Sequence, residues 1–563
     1  MRRPPAINRL VVIATVVLTA CEAETRLPVA PRSPPGSANA PSPALAESVD
    51  EDVGWWNDAI FYEVFVRSFC DSDGDGIGDL PGLTKKLDYL SDGDPETGDD
   101  LGITGIWLMP IMESPSYHGY DLVDYFTVDH DYGTNEAFRT LVGEAHERGV
   151  RIIVDLVLNH TSWRHPWFVN ASQGPEAQYR DWYIWRRESP DYVGPWGQRV
   201  WHPHQGNYYY ALFWRGMPDL NYRNPKVTEA SQAIARFWLE EMGADGFRLD
   251  AAHHLVEEGQ TQAGTPGNHR WWAEFDELTD KVGSDVLTVG EIWADTSAVA
   301  PYIANDELDL AFEFNLASAI ISSINGGDPG WFKYVLHQVE AGYPAHQYAT
   351  FLTNHDQNRV MSQLRQDSEA ARLAATVLLT LPGTPFIYYG EELGMTGQKP
   401  DEMIRTPMQW TAEAHAGFTT GRPWQAVNAG YEKVNVATAA ADPDSLLNHY
   451  RRLIQLRHDH PALSRGDLVD LESTCGHVHG YLRHHAGEYV LTILNFGAQE
   501  QADCAFTLPA SGLAPGDYTV QSLLMDLGSE DVTVNENGGF TGYVPTSILP
   551  PRGADVLLLG QGS

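Results

Sequence analysis

Acidic side chains recur at the ends of short apolar runs in this 563-residue sequence. Asp250 ends one such run, Glu291 ends the next, and Asp356 follows a later one. Another run leads through Asp155 to His160. Carboxylates at this many run ends imply that like charges converge on one cleft, which costs stability and is rarely tolerated without a function.

These residue types favour cleavage of a glycosidic bond. That reaction needs a proton donor for the leaving oxygen and a carboxylate facing the anomeric carbon. The sequence shows neither a phosphate-binding loop nor a serine–histidine pairing that would favour another chemistry. A retaining enzyme holds its two carboxyl groups ~5–5.5 Å apart, and an inverting enzyme holds them further apart. Because Asp250 and Glu291 end neighbouring runs, their positions favour the shorter separation.

Eight apolar, β-rich runs alternate with stretches of helical period from Trp55 onward. Eight strand–helix units predict an α/β fold, a (β/α)8 TIM barrel whose strand ends carry the active site. The predicted strands are Ala59–Val66, Thr104–Met109, Arg151–Val157, Asp245–Asp250, Val286–Glu291, Leu308–Phe314, Ala349–Leu352 and Pro385–Tyr389. The predicted helices include Asn135–Arg148, Val227–Met242, Glu369–Thr380 and Ser445–His460.

Two further domains are expected beside the barrel. About seventy residues rich in Trp, Tyr, His and Pro follow the third strand, too many for an unstructured loop. We therefore predict a small inserted domain over 160–224, within a barrel formed by 55–159 and 225–466. Helical periodicity fades after about Arg465, and 467–563 is predicted to form a C-terminal antiparallel β-sandwich.

Several segments resemble the signature blocks of the α-amylase family of glycoside hydrolases, in matching order and spacing. The resemblance covers about Trp55 to Arg465 and, more loosely, the C-terminal domain. The principal blocks are Asp155-Leu156-Val157-Leu158-Asn159-His160, Gly246-Phe247-Arg248-Leu249-Asp250, Gly290-Glu291-Ile292-Trp293 and Asn354-His355-Asp356. Secondary blocks are Gly102–Ile111, Met217–Asn221 and Gly383–Gly394.

The resemblance implies a role for each catalytic residue. Asp250 would attack the anomeric carbon, and Arg248 would keep it ionised by its opposite charge. Glu291 would protonate the leaving oxygen and then activate water, which requires a raised pKa. Asp356 would stabilise the distorted, oxocarbenium-like sugar.

The same resemblance implies residues that hold the substrate. His118, His160 and His355 would bind hydroxyl groups of the glucose at the cleavage point, with Tyr120 stacked beneath it. Asp121 and Arg359 match a pair that can grip the same glucose, and His254 matches a residue on the leaving-group side. His253 departs from the lysine that many starch-degrading members carry, which places polymer binding on that side in doubt.

A run of alternating carboxylates predicts a Ca²⁺ loop. Hard oxygen ligands with glycines between them suit Ca²⁺, but the twelfth position is Gly82, so the loop is not an EF-hand. By resemblance to oligo-1,6-glucosidase-like members the ligands are Asp71, Asp73, Asp75, the Ile77 carbonyl and Asp79. A second calcium site at Asn159, Asp219 and the His254 carbonyl is left open.

The N-terminus predicts export. A basic start precedes the apolar run Leu10–Ala20, and the sequence to Cys21 resembles a bacterial lipoprotein signal, with plain secretion as the alternative. We therefore predict a signal peptide over 1–21, a lipid anchor at Cys21, and a disordered linker over 22–54. Cys475 and Cys504 could pair in an oxidising compartment, whereas Cys70 has no obvious partner.

The net charge of −39 limits the partners. It opposes binding to nucleic acid, which needs clustered cations, and membrane contact is expected only through the lipid anchor. Salt tolerance is one hypothesis for this charge and simple solubility is the other. Oligomeric state does not follow from the sequence.

The leading functional hypothesis is endo-hydrolysis of α-1,4 bonds in starch and maltooligosaccharides by an α-amylase. Met217–Asn221 resembles a type intermediate between glucosidases and cyclodextrin-degrading enzymes, and Arg405-Thr406-Pro407-Met408-Gln409-Trp410 resembles oligo-1,6-glucosidases and trehalose synthases. The alternative is an exo-acting α-glucosidase or a transglycosylase on short α-glucans. A non-catalytic sugar-binding homologue is disfavoured because Asp250, Glu291 and Asp356 are all present.

Overall fold

The computed structural model describes residues 54–95, 97–283, 285–525 and 528–561. The predicted signal peptide, the lipid-anchor cysteine and all but the last residue of the predicted linker lie outside the described residues. Strands β1 to β21 are Phe61–Val64, Gly105–Leu108, Arg151–Leu156, Trp185–Arg186, Trp201–His204, Asn207–Tyr210, Gly246–Leu249, Leu287–Gly290, Leu310–Ala311, Ala349–Phe351, Thr384–Tyr388, Asp467–Ser473, Val478–His485, Glu488–Asn495, Gln501–Ala502, Phe506–Leu508, Gly516–Ser522, Val532–Val534, Phe540–Tyr543, Ile548–Leu549 and Ala554–Gln561.

Fifteen α-helices occur in the described part of the chain. Helices α1 to α15 are Leu80–Thr84, Leu87–Leu90, Asn135–Glu147, Pro166–Ala171, Pro225–Arg236, Pro266–Val282, Thr296–Ala304, Phe314–Gly326, Gly330–Gly342, Val360–Gln363, Ser368–Thr380, Asp401–Ile404, Val436–Ala440, Leu446–Asp459 and Pro461–Arg465. Two of the longer ones begin at capping side chains: Thr134 accepts from the Ala137 amide, and Ser445 from the Asn448 amide. Such caps satisfy amide groups that a helix start leaves free.

The predicted TIM barrel is confirmed. Eight parallel strands follow the order β10-β11-β1-β2-β3-β7-β8-β9, and a parallel bridge between Phe312 and Ala349 joins the two outer strands. Seven of these strands lie within predicted runs, and β11 begins one residue before its run. Parallel strands that are buried on both faces have apolar residues at nearly every position, which is why their positions could be predicted from the sequence.

The side chains that point into the barrel are apolar at one level and charged at the next level toward its C-terminal mouth. Phe61, Trp107 and Ile153 belong to the apolar cluster inside the barrel. Glu63 and Asp155 lie two residues further along their strands and are also buried. Because side chains two apart share one face of a strand, these carboxylates point into the barrel at its C-terminal mouth.

The segment after β3 carries a small antiparallel sheet of order β4-β6-β5. Its own apolar cluster contains Ile184, Val200, Trp201, Tyr210 and Leu212. This segment thus has a small apolar cluster of its own, while its Phe168, Tyr183 and Tyr209 belong to the larger cluster of the barrel.

The C-terminal region is antiparallel and rich in β-structure, as predicted. An eight-stranded sheet has the order β18-β17-β21-β14-β13-β12-β16-β19, and β15 pairs with β20. Cys475 and Cys504 form a disulfide within this domain. Arg483 of β13 is fully buried and donates to the Gly466 and Thr380 carbonyl groups, which ties the domain to the barrel.

Within the described residues, no helix combines the length and the apolar character needed to cross a bilayer.

Candidate active site

One arginine gathers three carboxylates at the mouth of the barrel. Arg248 of β7 is fully buried, and its Nη1 donates to Asp155 Oδ1 and to Asp250 Oδ1, each at 2.8 Å. Its Nη2 lies 2.8 Å from Glu291 Oε2. Asp250 and Glu291 are therefore held by the two terminal nitrogens of a single guanidinium group. This arrangement suits the short carboxyl separation of ~5–5.5 Å found in retaining glycosidases.

The backbone after Asp250 also positions Glu291. Ala251 adopts a left-handed conformation with φ 50° and ψ 35°, and its amide donates to Glu291 Oε2 at 3.0 Å. The other carboxyl oxygen, Oε1, accepts from Trp293 Nε1 at 2.9 Å. A left-handed alanine is strained, and such strain tends to persist at functional sites where surrounding contacts hold it. Here it fixes the direction of the Glu291 carboxyl group.

Burial makes the site able to hold a proton. It raises the pKa of Glu291, and Arg248 only partly offsets this rise while Asp250 and Asp356 add to it. Burial also raises the pKa of Asp250, again opposed by Arg248. It raises the pKa of Asp155 to about 7. Raised pKa values allow one of these carboxyl groups to hold a proton near neutral pH, as a general acid must.

The pKa of Asp356 shifts in the opposite direction from those of Asp250 and Glu291. Burial alone would raise its pKa, but His355 and Arg405 hold the pKa well below its usual value. Arg405 Nη2 lies 2.7 Å from Asp356 Oδ1. Burial alone would lower the pKa of His355, but Asp356 and Glu63 raise it to about 9. Asp356 is thus a permanent anion at neutral pH, beside groups that can carry a proton.

Tyr120 links the two halves of the site. Its hydroxyl lies 2.9 Å from Asp155 Oδ2 and 2.7 Å from His355 Nε2. Its ring stacks against the His355 ring at a centroid distance of 5.5 Å. The guanidinium carbon of Arg248 lies over the Tyr120 ring, 5.7 Å from its centroid. The ring therefore forms a fixed apolar surface among charged groups, as expected for stacking against a sugar.

The predicted histidines His118 and His160 both lie against Tyr120. His118 Nδ1 accepts from the Tyr120 amide at 3.1 Å, and His160 Nε2 donates to the Tyr120 carbonyl at 3.0 Å. Burial lowers the pKa of each to about 4, so both are neutral at pH 7. Asp121 lies 4.0 Å from His118 Nε2 and is buried. Three serine hydroxyl groups donate to its carboxylate: Ser114, Ser116 and Ser162.

Arg359, which was predicted to grip the glucose together with Asp121, is buried and packs its guanidinium on the rings of Tyr388 and Tyr389. Its Nη1 donates to the Tyr389 carbonyl at 2.6 Å. A second arginine, Arg405, contacts the predicted site residue Asp356 directly.

His254 lies on the inserted-domain side of the site. Its Nδ1 donates to the Gln262 carbonyl at 2.8 Å, and its ring contacts Phe213 and Trp196 at centroid distances of 5.8 Å. The neighbouring His253 turns its Nδ1 toward the Tyr302 hydroxyl at 3.1 Å.

Sequence reasoning missed four residues that contact the predicted set. Asp155 was noted at a strand end but given no role, and Glu63 was read only as part of a strand. Glu63 was nonetheless detectable, since a carboxylate inside an apolar run is unusual. Trp293 and Arg405 belong to motifs of the family, but the spacing of these motifs does not indicate which side chains they contact.

The acidic loop after β1 brings together carboxylates of three predicted metal ligands: Asp71, Asp73 and Asp79. Gly76 has a φ of 98°, and a Cβ there would meet the Arg422 carbonyl oxygen at 1.9 Å, so the tight turn requires glycine. Asp75 lies beside this group, and its Oδ1 accepts from the Ile77 amide at 2.8 Å. Hard oxygen donors in this arrangement fit a calcium ion.

The possible second calcium site is also partly assembled. Asn159 Nδ2 donates to Asp219 Oδ2 at 3.2 Å, and burial raises the pKa of Asp219 to about 7. Asn159 Oδ1 is buried and has no hydrogen-bond partner among the described residues.

Comparison with known proteins gives a consistent family. A model of the "Alpha amylase, catalytic domain" family matches residues 63–466. The chain is 42% identical over 450 residues to alpha-amylase 3 of Dictyoglomus thermophilum, covering 79% of this chain and 86% of that protein. It is 32% identical over 522 residues to an oligo-1,6-glucosidase of Parageobacillus thermoglucosidasius, covering 78% and 90%.

A solved structure agrees. The crystal structure of the alpha-amylase from H. orenii superposes with a TM-score of 0.77 at 42% identity, covering 89% of this chain and 99% of that one. The resemblance noted in the sequence is thereby confirmed: the chain belongs to the α-amylase family of glycoside hydrolases.

Proposed function

We propose that this glycoside hydrolase cleaves α-1,4-glucosidic bonds in starch and maltooligosaccharides, with retention at the anomeric carbon. The observation that carries the proposal is the Arg248 guanidinium, which holds Asp250 and Glu291 at 2.8 Å each. Two carboxyl groups held by one guanidinium group face the same part of the cleft, and the proposal places them at the short separation that retention requires.

In the proposed first step, Asp250 attacks the anomeric carbon while Glu291 donates its proton to the leaving oxygen. The glycosidic bond breaks, and a glycosyl ester forms on Asp250. In the second step, Glu291 takes a proton from water, the hydroxide attacks the same carbon, and Asp250 leaves as a carboxylate. The raised pKa of Glu291 suits the donor role, and Arg248 suits the ionised state of Asp250.

The other site residues position and stabilise the sugar in this proposal. Asp356, held as an anion, stabilises positive charge that develops on the ring. Tyr120 supplies the stacking surface, and the neutral His118 and His160 hydrogen-bond hydroxyl groups. Asp121 and Arg359 grip the same glucose in this proposal, and Arg405 holds Asp356 through a direct contact.

An exo-acting α-glucosidase or transglycosylase on short α-glucans is the second candidate. The similarity to an oligo-1,6-glucosidase favours it. Chromatography of early products from soluble starch separates the candidates. Mixed oligosaccharides are expected from an endo-acting α-amylase, whereas glucose alone would contradict endo action and new longer products would indicate transfer.

We also propose that the acidic loop binds Ca²⁺ through Asp71, Asp73, Asp75, the Ile77 carbonyl and Asp79. The donor set is composed of hard oxygens, and the glycines allow the backbone to wrap around an ion. The role is structural, since the loop closes against Thr419, whose hydroxyl donates to Asp71.

Removal of calcium should therefore lower thermal stability. At a free concentration a hundred times its Kd, an ion adds ~2.7 kcal/mol to the folded state. For a domain of this size we expect chelation to lower Tm by at least ~3 °C. Differential scanning calorimetry with and without chelator measures this change in Tm. The change should disappear in Asp73→Asn. It should remain in Asp92→Asn, which lies in another acidic loop and serves as the control. An equal Tm with and without chelator would rule out the calcium loop.

We propose that the protein is exported and anchored through a lipid at Cys21. The support is the N-terminal sequence, together with the Cys475–Cys504 disulfide, since such bonds persist mainly outside the cytosol. Mass spectrometry of the mature N-terminus is the test, and an unmodified first residue would exclude the lipid.

A further inference from the structure

The two carboxyl oxygens of Glu291 have different partners. Oε2 lies 2.8 Å from Arg248 Nη2 and accepts from the Ala251 amide at 3.0 Å. Because a carboxyl oxygen has about two acceptor positions, both positions of Oε2 are occupied. Among the described residues, Oε1 accepts from Trp293 Nε1 alone, at 2.9 Å. One position on Oε1 is therefore left for the proton that a general acid must carry.

The Trp293 side chain is held where it can make this contact. The preceding residue, Ile292, is fully buried, whereas Trp293 remains 46% exposed. Its ring packs on Phe314 at a centroid distance of 4.1 Å, and Phe314 packs on Phe351 at 5.0 Å. These contacts support the indole from the barrel side and keep its N–H directed at Glu291.

An indole N–H can donate a hydrogen bond but cannot accept one, so Trp293 cannot take the proton from Glu291. It favours the ionised carboxylate over the acid, because hydrogen bonds to charged groups are roughly twice as strong as neutral ones. The contact with Oε1 therefore strengthens as the proton leaves. An interaction that is stronger in the transition state than in the ground state accelerates that step.

We propose that Trp293 is a positioning residue for proton transfer: its N–H holds Oε1, the oxygen of Glu291 that donates the proton, and stabilises the carboxylate that remains. This inference rests on the proposed function, because it takes Glu291 as the proton donor.

The proposed role differs between the two steps of the reaction. In the first step the Oε1–H bond breaks and the proton passes to the glycosidic oxygen, whose bond to the anomeric carbon breaks while Asp250 attacks that carbon. The electron pair of the O–H bond stays on Oε1, beside the Trp293 N–H. In the second step Oε1 takes a proton from water, so the same contact favours the first step over the second.

Trp293→Phe tests the inference, because it removes the N–H and keeps a ring that can pack on Phe314. We expect kcat/KM on maltotriose to fall about tenfold, since a hydrogen bond to a developing charge is lost. On α-glucosyl fluoride, whose leaving group needs no proton, kcat/KM should stay within about twofold of the wild type. Trp293→Leu also lacks the N–H and should give the same pattern.

The basic limb of the pH profile of kcat/KM gives a second readout, because it reports loss of the proton from Glu291. Without the N–H the ionised form is less stable, so the pKa of Glu291 rises and the limb should move to higher pH by about half a unit to one unit. The substitution leaves in place the other charged and titratable groups near Glu291, which are Arg248, Asp250, Asp356, His160 and His254.

Trp331→Phe is the matched control. It makes the same chemical change at a ring that is 40% exposed on α9, and it should change neither substrate's kcat/KM nor the basic limb.

Equal losses on maltotriose and α-glucosyl fluoride would overturn the inference, because a merely structural role affects both substrates alike. An unmoved basic limb in Trp293→Phe would also overturn it. Cleavage of maltotriose by the wild type tests the proposed function separately. If the wild type cleaves isomaltotriose instead, the proposed α-1,4 specificity fails, and the same comparison on isomaltotriose decides the role of Trp293.

Discussion

We expect Asp250→Asn to lower kcat on maltooligosaccharides by at least ~10⁴-fold, because an amide cannot form the glycosyl ester. Asparagine has nearly the same size and can still accept a hydrogen bond from Arg248. Tm should therefore change little. Glu291→Gln removes the proton donor and should cause a comparable loss on substrates with poor leaving groups. Initial-rate kinetics together with circular dichroism separate lost chemistry from lost folding.

Asp276→Asn is the matched control for this prediction. Burial raises the pKa of Asp276 to about 7, yet it lies on α6, outside the site. The substitution should leave kcat within about twofold of the wild type, since surface changes away from special features have small effects. Residual activity of Asp250→Asn above a few per cent would remove Asp250 from the nucleophile role.

The second large effect is expected for Arg248→Met. This change leaves Asp155, Asp250 and Glu291 buried without their cation, and breaking a buried ion pair in this way typically costs ~3–5 kcal/mol. We expect a loss of that order in the free energy of unfolding at pH 7, measured with urea. We also expect a fall in kcat/KM of at least ~10³-fold, because both carboxyl groups lose the group that aligns them.

The pH dependence of kcat/KM should also change in Arg248→Met, in a direction that follows from the pKa of Asp250. Arg248 lowers the pKa of Asp250, so its removal raises that pKa. The nucleophile must be ionised, so the acid limb of kcat/KM should move to higher pH in Arg248→Met. Arg248→Lys keeps the charge but has one nitrogen in place of a planar fork, so it should recover stability better than activity. A wild-type pH profile in Arg248→Met would show that Arg248 does not control the ionisation of Asp250.

The sequence was sufficient to predict the barrel because of the way parallel strands are buried. Runs such as Arg151–Val157 are apolar on both faces, and their ends indicated where Asp155, Asp250 and Glu291 would lie. The two-residue alternation also explains why Arg248 and Asp250 work together: the arginine points into the barrel, and the aspartate lies just past the strand end.

Side-chain directions in loops could not be predicted in the same way. Arg359 and Arg405 both follow late strands, and spacing alone cannot say which one turns inward. The structure shows Arg359 packed on Tyr388 and Tyr389, whereas Arg405 reaches Asp356 across 49 positions of sequence. Similarly, the predicted helix Val227–Met242 ends its α-helical part at Arg236 and continues as a π-helical turn, Phe237–Glu241. Contacts distant in sequence decide such details.

The most direct test of the central claim is to trap the glycosyl-enzyme. An activated, fluorine-substituted glucosyl fluoride, incubated with Glu291→Gln, should load the enzyme faster than water can release it. After proteolysis, mass spectrometry should find one added glucosyl group on the peptide containing Asp250, and that group should be absent in Asp250→Asn. A label on another carboxylate, or an unlabelled enzyme that releases product of inverted configuration, would contradict the assignment of Asp250 and Glu291 to one retaining centre.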